Sequence, residues 1–221
     1  MNEFIDIFSS SDPTNVSTAV KLILLLTVFS LAPGILILMT SFTRIVIVLS
    51  FVRTSLATQQ MPPNQVLIGI ALFLTFFIMA PTFQEVYDEA LEPLFAEEIT
   101  LDEAYENASV PMKEFMAKHT RQKDLALFMD YSGAEPPESV QDIPMTTLIP
   151  AFAISELKTA FQMGFMIFVP FLVIDMAVAS ILMSMGMMML PPVMISLPFK
   201  ILLFVLVDGW YLITHSLLSG F

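Results

Sequence analysis

Ser184-Met185-Gly186-Met187-Met188-Met189-Leu190-Pro191-Pro192-Val193-Met194 is the stretch on which the reading of this chain turns. Six of the twelve residues from Met183 to Met194 are methionine. An apolar run enters the stretch, and the Pro191-Pro192 pair predicts its stop, because a residue before proline is pushed out of helical geometry toward extended backbone. Met187, Met188 and Met189 then fall at or just beyond a helix end. Three consecutive side chains cannot share one face of a helix, but they can line a loop. Methionine is unbranched and polarizable and packs around irregular partners. Two readings follow: ordinary apolar packing filler, or, if several copies of the chain contribute the same loop, a deformable apolar seal. In either case the stretch is the turn of a helical hairpin.

Working outward, the surroundings are those of a membrane protein. Of 221 residues, 56% are hydrophobic and the mean hydropathy is +0.79. Charged residues make up 14%, against roughly 25% in a typical soluble domain. With no cysteine, disulfides and thiolate metal sites are excluded and the redox compartment is not readable. A net charge of −12 argues against nucleic acid as a partner, since phosphate contacts need Lys and Arg clusters. His119 and His215 lie far apart in different kinds of segment, so no histidine metal site is expected. The charge is also segregated. Residues 83–147 hold fifteen acidic against four basic residues, and the rest of the chain six against five.

Four segments follow from this: a short acidic N-terminal stretch (1–18), a first apolar hairpin (19–82), an acidic block (83–147) and a second apolar hairpin carrying the methionine loop (148–221). Residues 1–18 carry Glu3, Asp6 and Asp12 and no basic residue, which predicts no cleaved signal sequence. Leu22–Thr43 is long enough to cross about 30 Å of hydrocarbon, with a break or kink expected at Pro33-Gly34. Thr54–Asn64 reads as a turn, and Gln65 opens a second apolar helix ending near Ala80-Pro81. In the acidic block, Thr100-Leu101-Asp102-Glu103 has the spacing of a capping box. Ser109-Val110-Pro111 reads as a second helix start, Gly133 as a helix stop, and Glu135–Glu138 as loop. In the last segment Lys200 precedes a helix from Ile201 to about Leu218, interrupted by Asp208. The fold class is therefore all-α, with four apolar passes and a small helical acidic block. The Lys and Arg bias places that block outside the cell, the methionine turn on the cytoplasmic side and both termini outside.

Several charges sit where charge is expensive. Arg44, Asp175 and Asp208 lie inside apolar runs, and Glu156, Lys158 and Lys200 lie at their edges. An ionised side chain at the bilayer centre costs roughly 2.5–3.5 kcal/mol on insertion scales, so such residues find partners. Both signs are present, which favours pairing between helices or subunits; the rival is an ion- or proton-conducting transporter subunit using Arg44, Asp175 and Asp208. No nucleophile elbow, zinc-protease helix or phosphate-binding glycine loop is present, so neither catalysis nor a cofactor is expected. Phe161, Phe165, Phe168 and Phe171 recur at helical spacing and read as a packing stripe. The glycines form no paired small-residue motif.

Several long motifs are similar to those of the FliP family, core membrane components of the flagellar type III export apparatus. They are Met39-Thr40-Ser41-Phe42-Thr43-Arg44-Ile45, Pro62-Pro63-Asn64-Gln65-Val66-Leu67, Leu72–Met79, Ser155-Glu156-Leu157-Lys158-Thr159-Ala160-Phe161-Gln162, Met183–Met189, Leu197-Pro198-Phe199-Lys200 and Phe204-Val205-Leu206-Val207-Asp208-Gly209-Trp210. The resemblance implies a helical, cone-like assembly of five copies with the small two-helix subunit FliQ and the larger FliR. It places the assembly in the cell membrane at the flagellar basal body, beside other export components, passing unfolded substrates. Much of such a cone stands out of the membrane plane. The resemblance also implies a methionine seal at Met185, Met187, Met188 and Met189, with Phe168 in the pore-facing aromatic region. Intersubunit charge contacts would involve Glu156, Asp175 and Lys200. The acidic start departs from relatives with cleaved signals and fits a cell with a single membrane. The length of the acidic block favours a flagellar over an injectisome member.

Overall fold

The computed structural model describes residues 23, 26–27, 30–31, 33–35, 37–58, 60–133, 137–187 and 189–221. The expected acidic start, part of the Glu135–Glu138 loop, and Met188 lie outside the described residues. Two compact units divide the chain, Met1–Leu38 and Met39–Phe221. In the first, the described residues from 23 to 38 are helical, Pro33 and Gly34 included. A helix is described over Pro33–Met39, and residue 32, where the expected break would separate it from what precedes, lies outside the described residues. The second unit begins with an interruption at Thr40-Ser41.

The second unit is helical throughout, with no strand among the described residues. Helix α1 spans Phe42–Ser55 and α2 spans Asn64–Phe95. The acidic block holds α3, Leu101–His119, and α4, Gln122–Ser132. Then come α5, Met145–Ser184, α6, Pro192–Leu206, and α7, Gly209–Leu218. Helix α2 does not end at Pro81. It runs on through the proline and a π turn at Tyr87–Leu91, crossing the expected boundary between the first hairpin and the acidic block. Likewise Pro111 does not start a helix; it lies buried inside α3, and the Ser109 hydroxyl donates to Glu106 O instead of capping. Lys200 lies within α6 rather than ahead of a helix.

Other expectations hold. Thr100 caps α3: its hydroxyl accepts from the Glu103 N–H, and the Glu103 carboxylate accepts from the Thr100 N–H at 2.8 Å. Gly133 closes α4 with a left-handed φ of 64°, a geometry that costs a residue without Cβ little.

By length and composition α2 and α5 can each cross a membrane. Pro33–Met39 with α1, and α6 with α7, pass the same test as pairs, giving up to four spans. Two apolar cores hold the unit together. One joins α1, α2, α5 and the α6–α7 pair through Ile45, Val48, Val52, Leu67, Phe171, Phe204 and Leu217. The other seats the acidic block on α2 and α5 through Met79, Met112, Met116, Leu148 and Phe152.

Candidate functional site: the methionine loop and the buried charge pairs

Helix α5 ends in a way the Pro-Pro pair does not explain. Gly186 takes a left-handed φ of 75°. Its N–H donates to Met183 O at 3.0 Å, and the Met187 N–H reaches back to Leu182 O at 3.0 Å. These two bonds are a Schellman stop, which requires a residue that tolerates φ > 0. So Gly186, five residues before Pro191, terminates the helix. Pro192 instead opens α6 in the first turn, where its missing N–H leaves nothing unsatisfied. The described methionines at this turn are exposed to differing degrees. Met189 is 98% exposed, Met185 57% and Met187 36%. Phe168 is not brought to them. It lies sixteen residues before the end of α5, about 24 Å along the axis at 1.5 Å per residue. It is half-buried and lines a cleft with Arg53, Thr58, Asp175 and Lys200.

Four of the six expensive charges are paired inside the chain. Arg44 on α1 is 4% exposed and Glu156 on α5 is fully buried. The guanidinium grips the carboxylate with two nitrogens, Nε to Oε2 at 2.8 Å and Nη2 to Oε1. Its third nitrogen, Nη1, donates to Gly220 O at 2.7 Å, and its Cζ lies 3.7 Å above the Phe221 ring. The second pair joins the two arms of the last hairpin. Lys200 Nζ meets Asp175 Oδ2 at 2.6 Å and also donates to Ser55 O at 3.1 Å, tying in the end of α1. The Ser196 hydroxyl donates to the other Asp175 oxygen. Glu156, Asp175 and Lys200 thus bond within one chain. Lys158 and Asp208 are exposed.

A third cluster fastens the acidic block. The Arg121 N–H donates to Ser155 Oγ at 3.0 Å, and that hydroxyl donates to Asp124 Oδ2 at 2.6 Å. Burial pushes the Asp124 carboxyl up. Ser155, Arg121 and the charge of Lys158 outweigh it and hold the group below the usual carboxylate value. His119, at the end of α3, packs edge-on to Phe221 and against Phe115. Burial, then the charges of Arg44 and Lys118, lower its pKa to about 4. Among the described residues no three His, Asp or Glu side chains gather as a metal site.

The comparisons with known proteins point one way. The FliP family's sequence profile matches residues 25–217. The flagellar biosynthetic protein FliP of Bacillus subtilis is 80% identical over 221 residues, the full length of both chains. The chain belongs to the FliP family. The flagellar biosynthetic protein FliP of Caulobacter vibrioides is 55% identical over 91% of this chain and 76% of its own. That of Aquifex aeolicus is 49% identical over 94% of this chain and 87% of its own.

Every candidate residue lies inside the FliP-family match. Two features escaped the sequence reading. A Cβ at Gly164 would sit 2.4 Å from Phe51 Cγ, so this glycine is where α1 and α5 touch. The signal in the sequence is the small-residue spacing Ala160-x-x-x-Gly164, which a pattern of glycine pairs alone does not include. Arg121, Asp124 and Ser155 also went unnoticed, because a short-range ion pair in an acidic block looks like any solvated face.

Proposed function

We propose that this FliP-family chain is a pore-forming scaffold subunit of a flagellar type III protein-export gate. Five copies assemble with FliQ and FliR in the cell membrane at the basal body, where they build the passage for unfolded flagellar substrates. The observation that carries the reading is the methionine loop. Beside a glycine-stopped helix end, the Met185 and Met189 side chains are largely exposed and that of Met187 partly so. When copies surround an axis, such loops meet one another. Soft, unbranched side chains close into a seal and part around any extended polypeptide without demanding a particular sequence. Catalysis and a cofactor have no place in this mechanism; the energy for export comes from other components.

The rival, a proton- or ion-conducting subunit, requires intramembrane carboxylates ready to exchange protons. Of the residues it would use, Arg44 and Asp175 are already engaged, by the Glu156 carboxylate and by the Lys200 ammonium and the Ser196 hydroxyl, an arrangement that serves register better than relay; Asp208 is exposed and carries no such bond.

Replacing Met187, Met188 and Met189 together with alanine tests the seal. The expected result is an intact complex of parental mass whose reconstituted form, or host membrane, leaks small ions. A triple variant as ion-tight as the parent would show that the methionines serve packing alone.

A further inference from the structure

The charges of the last apolar segment do not balance within one chain. Residues 148–221 contain Glu156, Lys158, Asp175, Lys200 and Asp208. Three of them are bonded as described. The side chains of Lys158 and Asp208, of opposite sign, form no hydrogen bond or ion pair among the described residues. Lys158 acts through space on Asp124, but that carboxylate is already held by Arg121 and Ser155.

Each charge stands in an apolar frame. On α5, Ile154, Phe161 and Phe165 flank Lys158 at helical spacing and are all exposed. Around Asp208, exposed Val205, Leu206, Val207 and Tyr211 do the same. The position of Asp208 is fixed. It takes a left-handed φ of 53° at the corner where α6 and α7 bend by 61°. Beneath it the Phe204 ring occupies the place a Cβ on Gly209 would take. The carboxylate is exposed with no cation bonded to it among the described residues, and it is too short to reach a membrane surface as a lysine can.

The two charges cannot meet within one chain. Lys200 pairs with Asp175 and Phe204 packs on Phe171, so each step along α6 runs back along α5. That register sets Asp208 opposite residue 167 or so, about 13 Å along the axis from Lys158. Complementary charges at separate places on one chain can meet between copies, and in a ring of more than two copies, such as the assembly proposed above, that contact is head-to-tail.

We infer that Lys158 of one copy pairs with Asp208 of the next in a head-to-tail contact between copies of this chain. The pairing rests on the multi-copy assembly proposed above and names the residues that set its register. Because the two charges lie at different heights, neighbouring copies are displaced along the helix axis as well as around it.

The chain has no cysteine, so introduced thiols are the only ones in it. The test uses the full complex, co-expressed with its neighbouring membrane subunits, solubilised in detergent and treated with a short bis-maleimide. Chains carrying both Lys158→Cys and Asp208→Cys should give a ladder of covalent multimers. Chains with one substitution each, co-expressed, should give dimers and no higher species, and either alone should give none. Independently, Lys158→Glu or Asp208→Lys should each lower the assembled fraction about tenfold, as expected when like charges face each other in an apolar contact. The double reversal should restore it. A multi-copy native mass with no cross-link and neutral reversals would overturn the pairing while leaving the assembly standing. A parent chain that is monomeric in the same preparation would overturn both.

Discussion

Arg44 directs all three of its nitrogens into the protein, two to Glu156 and one to Gly220 O. Removing one member of a buried pair strands the other charge, which typically costs about 3–5 kcal/mol. Arg44→Met is therefore expected to lose about that much stability, read as a fall in the unfolding midpoint in detergent. Arg44→Met with Glu156→Met should recover a large part of the loss, because no charge is then left buried. His119 gives a second residue-scale expectation. Its pKa of about 4 lies below its ordinary 6.5, so between those values the unfolded chain takes up a proton that the folded chain refuses. Stability is complete above about pH 6.5 and declines as pH falls toward 4. His119→Asn should flatten that part of the curve in an unfolding series across pH. Arg44, Asp175 and Asp208 stood out in the sequence because a charge in an apolar run is conspicuous. Their partners were only partly legible: Lys200–Asp175 spans one hairpin, whereas Glu156 lies 112 positions from Arg44 and only the folded chain brings the two together.

At the scale of elements, glycine decides more than proline does. Pro81 and Pro111 read as boundaries, yet both lie inside helices. A proline removes one intrahelical bond, and the packing of α2 and α3 on the second core offsets that loss. Apolar helices tolerate it especially well because neighbouring backbone readjusts. Gly186 and Gly164 act through what a Cβ would do. Gly186→Ala forces an L-residue into left-handed geometry at about 1–2 kcal/mol. It should destabilise the methionine turn and raise protease sensitivity between α5 and α6. Gly164→Ala places a methyl 2.4 Å from Phe51 Cγ. Overpacking of that kind typically costs about 1–3 kcal/mol, so a lower unfolding midpoint is expected. Signals confined to a few residues, such as the Thr100 box and the Gly133 stop, were legible. Those that depend on what lies opposite, such as Gly164 against Phe51, were not.

At the scale of the molecule, α5 is 40 residues long, about 60 Å at 1.5 Å per residue, roughly twice the hydrocarbon thickness of a bilayer. Hydropathy reads that helix as a span because it counts apolar residues; it does not know whether lipid or protein covers them. Exposed Phe73, Phe76 and Phe77 on α2, and Phe161 and Phe165 on α5, fit a protomer whose outer faces are covered by neighbouring subunits. Helix content and the segregation of charge were plain in the sequence, since both are properties of composition and period. The register of copies is a property of several chains at once, and only the two unanswered charges hint at it.

The most direct test of the account is the intact mass of the detergent-solubilised complex, co-expressed with its neighbouring membrane subunits and weighed by native mass spectrometry. The account predicts a particle containing five copies of this chain together with FliQ and FliR. A monomer or dimer that conducts protons after reconstitution would contradict it and move the function to Asp175 and Asp208.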